Sequence, residues 1–286
     1  MKNVLVLGST GMAGHVITSY LSKNDGIKIF NLSHRKKLNN YTTTMDVMDI
    51  NKFNNFLNTL QLDFIINCTG ILNKVAEDFK EKAAFVNGFL PHFLENKYKD
   101  TNTRIIHIST DCVFSGNQGN YLESSFKDGD SFYARSKALG EIVNQKDLTF
   151  RTSIIGPDLS IEGIGLLNWY MKSSGEINGY TNHIWTGITT IELAKAVEKA
   201  IFTELTGLYH LVPKDKISKY ELLQLFNDKF HRKDLNINKY ESDFIDKSLI
   251  NSRQDFCYEV QGYFQMIEDM KNWIYAHRDF YKHYSL

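Results

Sequence analysis

Four side chains in this sequence have the types and spacing for carbonyl chemistry. Ser109 and Thr110 end an apolar run, and Tyr133 and Lys137 stand four residues apart. On a helix, an i, i+4 spacing sets a phenol and an ammonium side by side on one face. The cation favours phenolate, and so draws the tyrosine pKa down from its ordinary ~10 toward values useful for proton transfer at neutral pH. A hydroxyl, a phenol and a lysine converging on one point can hold, polarise and protonate a carbonyl oxygen. Reduction then requires a hydride donor, and therefore a dinucleotide site elsewhere in the chain.

The elements that would position these groups can be read from the pattern. Arg104 to Ile108 reads as a buried parallel strand, and ligands of open α/β sheets bind beyond the carboxyl ends of such strands. Tyr133 and Lys137 fall in a segment of helical composition, Phe132 to Asn144. Near the N-terminus the strand-like Val4 to Leu7 runs into Gly8-Ser9-Thr10-Gly11-Met12-Ala13-Gly14. This G-x-x-G-x-x-G opens a helix (Met12 to Lys23), so its backbone can approach a pyrophosphate that the helix N-terminus stabilises. The next strand, Ile27 to Leu32, ends in Ser33-His34-Arg35-Lys36-Lys37 without the acid that would bind a ribose 2′-hydroxyl. Cations there suit a 2′-phosphate, which favours NADPH over NADH.

A third strand over Thr42 to Val47 would bring Asp46 and Val47 near an adenine, and Asp49 reads as the N-cap of a helix through Leu60. The fourth strand, Phe64 to Ile66, ends in Asn67-Cys68-Thr69-Gly70, small and polar as befits a strand lying beneath a cofactor. A long helical stretch from Val75 to Tyr98 carries Asn87, which is either a buried polar tie or cofactor contact, or a surface residue. A Gly/Ser/Asp-rich loop, Ser115 to Ser131, is long enough to close over a substrate. Leu148 to Ser153 reads as the sixth strand. The alternation defines an α/β chain with a doubly wound parallel sheet.

After Gly156-Pro157 the pattern changes. Residues 175–180 resemble a turn-rich connection, Ile191 to Thr203 an amphipathic helix capped by Thr190, and Gly207 to Val212 another strand. Further helices are expected over Lys219 to Phe230 and Tyr263 to His277. The expected division is a dinucleotide-binding domain over 1–155, completed by about 184–212, and a smaller lobe over 156–286 that selects the substrate.

Composition narrows the function classes. Thirty-three basic residues balance 33 acidic ones, so there is no bulk attraction to nucleic acid. No apolar run approaches the ~20 residues of a membrane span. Cys68, Cys112 and Cys257 are far apart and odd in number, and read as reduced thiols of a cytoplasmic protein. Neither His183 nor His210 has companions at metal-ligand spacing, and no metal is indicated.

The motifs Gly8 to Gly14, Ser109 to Gly116, Tyr133 to Lys137 with Gly140-Glu141, and Arg151-Thr152-Ser153 together resemble the extended short-chain dehydrogenases/reductases. Within that superfamily the chain is similar to the dTDP-4-dehydrorhamnose reductase (RmlD-like) group. The resemblance implies a Rossmann-type sheet and a 4-keto reduction on a nucleotide-linked deoxysugar, with the sugar nucleotide as the partner and a homodimer possible. It implies Tyr133 as proton donor, Lys137 on the nicotinamide ribose, Thr110 on the carbonyl oxygen and Ser109 beside it. Asp111, Val113, Phe114, Trp185 and Arg253 are the candidate substrate contacts: Trp185 by stacking or else as packing, Arg253 on the diphosphate or else in a surface ion pair. Arg151 is expected to be structural. Cys112 stands where tyrosine is usual and Ala134 where glycine is frequent. With Ile154-Ile155-Gly156-Pro157 and Gly70-Ile71-Leu72-Asn73, these departures point toward UDP-linked 2-acetamido-2,6-dideoxy-4-ketohexoses rather than dTDP-rhamnose precursors. The same scaffold also carries silent nucleotide-binding subunits, epimerases and dehydratases. Tyr133, Lys137 and Thr110 argue against the first, and the lack of a glutamate after Asp111 against the last.

Overall fold

A computed structural model describes residues 1–284. The first half alternates strand and helix: β1 (Lys2–Leu7), α1 (Met12–Leu21), β2 (Ile27–Ser33), β3 (Thr42–Thr44), α2 (Ile50–Asn58), β4 (Phe64–Asn67), the short α3 (Asn73–Asp78) and α4 (Lys80–Ala83), α5 (Leu90–Tyr98), β5 (Arg104–Ser109), α6 (Phe132–Leu139) and β6 (Leu148–Arg151). The second half continues with β7 (Ile154–Ile155), α7 (Leu166–Lys172), β8 (Gly175–Tyr180), β9 (His183–Trp185), β10 (Ile188–Thr189), α8 (Thr190–Ile201), β11 (Gly207–His210), β12 (Ile217–Ser218), α9 (Lys219–Phe230), β13 (Leu235–Tyr240), β14 (Ile245–Asp246) and α10 (Tyr263–Ala276).

Seven strands make one sheet in the order β11-β6-β5-β4-β1-β2-β3, and each neighbouring pair is parallel. Both faces are covered, which is why its strands are continuous apolar runs. Val4 and Val6 join Ile66, Ile106 and Phe150 under α1 and α8, while Leu5 and Leu7 join Ile65 and Ile105 under α2 and α5. The period-2 alternation of a strand sorts these identical-looking residues between two cores. Strand order reverses between β1 and β4, opening a crevice at the carboxyl edge where ligands of Rossmann-type sheets lie.

The second half contributes β11 to the main sheet and sets α8 against α1, while α9 covers β8 and β13 and α10 packs against both α8 and α9. Residues 175–180, expected as a turn-rich connection, are instead strand β8, paired in parallel with β13 along its length. This two-stranded ribbon is exposed at most positions, so it lacks the apolar run that marks a buried strand. The stretch expected as one helix over 75–98 is broken into α3, α4, a π-helical segment (Ala84–Phe89) and α5. The helix bearing Tyr133 stops at Leu139 rather than near Asn144, because Gly140 lies against Asn87 so closely that a Cβ would meet its carbonyl oxygen at 1.9 Å. Asp49 caps α2, accepting from the Lys52 amide at 3.2 Å, and α8 is capped by Thr189, one residue before the expected Thr190.

The chain end returns beneath the glycine turn. His15 on α1 is fully buried, its Nδ1 2.8 Å from the Gly11 carbonyl oxygen and its Nε2 2.8 Å from the Tyr281 hydroxyl. Nδ1 therefore carries the proton and Nε2 accepts from Tyr281. The Trp273 indole donates to the same tyrosine oxygen at 3.0 Å. Tyr281→Phe leaves His15 Nε2 and the Trp273 indole N–H without their partner inside the core. It is expected to lower stability by about 1–3 kcal/mol, measured as a shift in the urea unfolding midpoint.

Candidate active site

Thr110 sits just past the carboxyl end of β5, where it caps a single 3₁₀ turn, Asp111–Val113. Its hydroxyl accepts from the Cys112 amide at 3.1 Å and donates to Asp111 Oδ1 at 3.2 Å. Tyr133 and Lys137 lie on α6, whose N-cap Ser131 accepts from the Ala134 amide at 3.1 Å. The Thr110 hydroxyl lies close enough to Tyr133 to lower the pKa of its phenol. One helical turn on, Lys137 Nζ donates to the Ile108 carbonyl oxygen at 2.7 Å and lies 3.4 Å from His107 Nε2. The three residues picked out by spacing thus converge at the end of β5.

The electrostatics differ from the sequence expectation. Burial pushes the Tyr133 pKa well above its ordinary value, the charges of Cys112 and Asp111 push the same way, and only the Thr110 hydroxyl opposes them. Lys137 does not bring it down, since its ammonium is turned toward β5. Burial instead lowers Lys137 to about 8, against the opposing charges of Glu141 and Cys68. A tyrosine that keeps its proton is the correct starting state for an acid.

The dinucleotide turn is built for close backbone approach. Gly8 has φ +76°, and a Cβ there would lie 3.0 Å from the Cys68 carbonyl oxygen. A Cβ on Gly14 would lie 2.1 Å from the Gly8 oxygen. The first turn of α1 receives no side-chain cap, so Met12, Ala13 and Gly14 present unpaired amides beyond β1. Gly11 and Thr10 complete the turn. A nicotinamide dinucleotide fits this cradle, and the amides of Met12, Ala13 and Gly14 would hold its pyrophosphate. Cys68 links cradle to chemistry: it touches Gly8 on one side and feels the Lys137 charge on the other. Burial raises its thiol to about 12.

At the far end of the cradle, His34 and Asp46 approach to 3.5 Å, and Arg35, Lys36 and Lys37 are exposed. Ser33 is not available there, because its buried hydroxyl donates to the Lys36 carbonyl. Val47 is buried and packs with the core under α2. Thr69 folds back on Asn67, its hydroxyl donating to Oδ1 at 2.6 Å. Asn87 proves to be a tie: its amide clamps Ile71 N and O, each at 2.9 Å, and donates to Ser136 Oγ at 3.0 Å, fixing the loop of Gly70 against α6.

Several candidate contacts have other work. Ser109 is buried and donates to Glu141 Oε1 at 2.7 Å. Val113 and Phe114 are core residues, Phe114 stacking on Tyr121 at 4.1 Å. Trp185 is only 3% exposed and packs against Tyr263. Arg253 pairs with Asp255 and donates to the carbonyls of Thr206 (2.6 Å) and Leu208 (2.8 Å), so it has no fork left for a diphosphate. Asp111 alone of the substrate set beyond Tyr133 stays beside the trio.

Two groups escaped the sequence reading. His107, the one polar residue among the isoleucines of β5, takes Asn67 Nδ2 on Nδ1 at 3.2 Å and faces Lys137 with Nε2. Burial and then the Lys137 charge hold it neutral. His210, read as an isolated polar residue, is fully buried: Arg151 donates to its Nε2 at 2.8 Å and its Nδ1 reaches the Ile250 carbonyl oxygen at 2.8 Å. Burial and then Arg151 lower its pKa to about 4, as burial does for His15. Both histidines titrate near 6.5 once unfolded, so the unfolded chain binds more protons between these values. Stability is complete above pH ~6.5 and is lost as pH falls toward 4, with a slope approaching ~1.4 kcal/mol per pH unit for each histidine. Urea melts across this range should show that slope, and His210→Gln should make it shallower.

Comparison with known proteins bears on the family and the fold. The family model described as the RmlD substrate binding domain matches residues 1–247. The chain is 28% identical to the probable low-salt glycan biosynthesis reductase Agl14 of Haloferax volcanii, a match that spans only about half of each protein, 52%. The fold is that of a hypothetical dTDP-4-dehydrorhamnose reductase from Sulfolobus tokodaii (TM-score 0.78, 22% identity, 91% of this chain and 98% of that one). It is also that of the dTDP-4-dehydrorhamnose reductase from Bacillus anthracis solved with NADP (0.80, 19%, 95% and 99%). The dTDP-glucose 4,6-dehydratase of the same organism, solved with NAD, superposes as well (0.78, 14%, 99% and 99%). At these identities the solved structures speak for the fold, and the family model speaks for the family. The chain belongs to the RmlD substrate binding domain family, whose reductases are NAD(P)H-dependent oxidoreductases.

Proposed function

We propose that this chain reduces the 4-keto group of a nucleotide-linked 6-deoxyhexos-4-ulose with NADPH, supplying an activated deoxysugar for a surface glycan. The observation that carries the reading is the meeting of Thr110, Tyr133 and Lys137 at the end of β5, joined through Cys68 to the glycine cradle. Family membership and the glycan reductase relative support the substrate class. The departures at Cys112, Ala134 and residues 154–157 favour a UDP-linked 2-acetamido sugar over a dTDP-linked one.

When bound, the dihydronicotinamide supplies hydride to the carbonyl carbon. The chain's own residues manage the oxygen. Tyr133, kept protonated by burial, donates its proton as negative charge develops there. Thr110 can turn its hydroxyl from Asp111 to the same oxygen. Lys137 spends one donor on Ile108 and retains others for the ribose hydroxyls. Arg35, exposed past β2, is the cation placed to read a 2′-phosphate.

Tyr133→Phe keeps the ring and removes the acid. It should lower kcat at least ~100-fold in an assay of NADPH oxidation with dTDP- and UDP-linked 4-keto-6-deoxyhexoses. Retained turnover would contradict the assignment. Arg35→Ala should raise the KM for NADPH about tenfold or more, the scale of a charge-assisted phosphate contact, while leaving the NADH-supported rate unchanged. Equal effects on both cofactors would remove Arg35 from the 2′-phosphate site.

A further inference from the structure

His107 lies fully buried between Asn67 on β4 and Lys137 on α6. None of the steps at the carbonyl uses it, yet the bonds around it fix which of its nitrogens carries the proton. Asn67 Oδ1 receives the Thr69 amide at 3.2 Å and the Thr69 hydroxyl at 2.6 Å. A backbone amide can only donate, so this oxygen cannot exchange places with the amide nitrogen. Asn67 Nδ2 is therefore the atom that faces His107 Nδ1 at 3.2 Å, and Nδ1 accepts. A neutral imidazole that accepts on Nδ1 carries its proton on Nε2. That Nε2 lies 3.4 Å from Lys137 Nζ.

Lys137 thus meets a donor where an ammonium needs an acceptor. As an ammonium it gives one N–H to the Ile108 carbonyl oxygen at 2.7 Å and stands donor to donor against His107. As an amine it keeps the Ile108 bond and offers its lone pair to the His107 N–H. His107 therefore favours the amine. Burial of Lys137, which is 4% exposed, acts in the same direction and lowers its pKa to about 8. The charge of Glu141, one turn past Lys137, pulls the other way, but that carboxylate is bound at both oxygens by Arg151 and also receives Ser109 and Lys127. Cys68 past β4 and Tyr133 one turn before Lys137 both keep their protons through burial.

We propose that His107 is a positioning residue for cofactor binding: it holds Lys137 ready to lose its proton in the free protein, and the ribose hydroxyl oxygens of NADPH, as acceptors, draw a proton back onto Nζ. The proton comes from solvent and binds the Nζ lone pair, and no other bond is made or broken. The ammonium then has two donors besides the one on Ile108. The ribose contact rests on the reductase reading; the hold of His107 on Lys137 does not.

Nitrogen-15 NMR of the imidazole ring reports the tautomer without any substitution, and should find the His107 proton on Nε2. Lysine labelled with carbon-13 at Cε gives the titration midpoint of Lys137, its signal assigned by loss in Lys137→Met. In His107→Gln the side-chain amide oxygen can face Nζ. The midpoint should rise by about one pH unit or more, the scale of a hydrogen bond made to one protonation state. Calorimetry of NADPH binding near the wild-type midpoint, in buffers of different ionisation enthalpy, should show proton uptake by wild type and less by His107→Gln. A proton on Nδ1, or an unchanged midpoint in His107→Gln, overturns the proposal, and NADPH binding without proton uptake overturns its cofactor half. A wild type that binds no NADPH overturns the reductase reading, while the tautomer and the midpoint still decide what His107 does to Lys137.

Discussion

The carboxyl edge of the sheet is held by one buried ion pair, Glu141 with Arg151. The guanidinium meets both carboxylate oxygens at 2.7 Å, and the two side chains are at most 1% exposed. Removing two ions from water costs several kcal/mol each, and the attraction between them offsets this only when every remaining hydrogen-bonding group is also satisfied. Here they are. Ser109 and Lys127 donate to Glu141, while Arg151 donates to His210 and the Glu123 carbonyl. Glu123 in turn receives the amide of His210 and both donors of Ser252. The end of β5, the exit of α6, strands β6 and β11, the long loop and the strap after β14 are thereby pinned to one another. Thr110 follows Ser109, and Tyr133 precedes Glu141 by two helical turns, so the catalytic geometry inherits this constraint.

Within that frame, burial does more to set the chemistry than any pair of charges. It keeps the Tyr133 phenol protonated, as a proton donor must be, and it keeps His107 neutral behind Lys137. It also lowers Lys137 to about 8. Lys137 donates once, to the Ile108 carbonyl, and keeps further donors for a ligand's hydroxyls. The covered sheet lowers the local dielectric, and a ligand supplies what the protein withholds.

Much of this was legible where the signal was local. The glycine turn, the strand ending in Ser109-Thr110 and the Tyr133/Lys137 spacing each lie within a few residues, so sequence order alone gives their geometry. The strands were legible because a sheet covered on both faces demands unbroken apolar runs. What could not be read depends on packing between distant segments. Trp185 and Arg253 have residue types that suit a ligand, but the fold uses one as packing and the other to tie carbonyls. Ser109 looked functional beside Thr110, yet strand alternation turns it to the opposite face, toward Glu141. Strand β8 escaped because Gly175-Glu176-Ile177-Asn178-Gly179-Tyr180 offers a single aliphatic residue between two glycines, too little apolar alternation to mark a strand. The helical stretch breaks at Phe79, whose backbone leaves the helical region, and loosens to a π-helical segment around Asn87, against which Gly140 packs; neither is marked by a local residue type.

The central claim is that this site delivers hydride to C4 of a nucleotide-linked ketosugar while Tyr133 protonates the oxygen. The most direct measurement supplies NADPH carrying deuterium at the transferring position of the nicotinamide, together with a UDP- or dTDP-linked 4-keto-6-deoxyhexose. The product sugar is then examined by NMR. The account predicts one deuterium at C4 on a single face, with the adjacent carbons unlabelled. Exchange at C3 or C5 without label at C4, or product formed with no consumption of NADPH, would contradict it and leave the fold serving an epimerase or dehydratase.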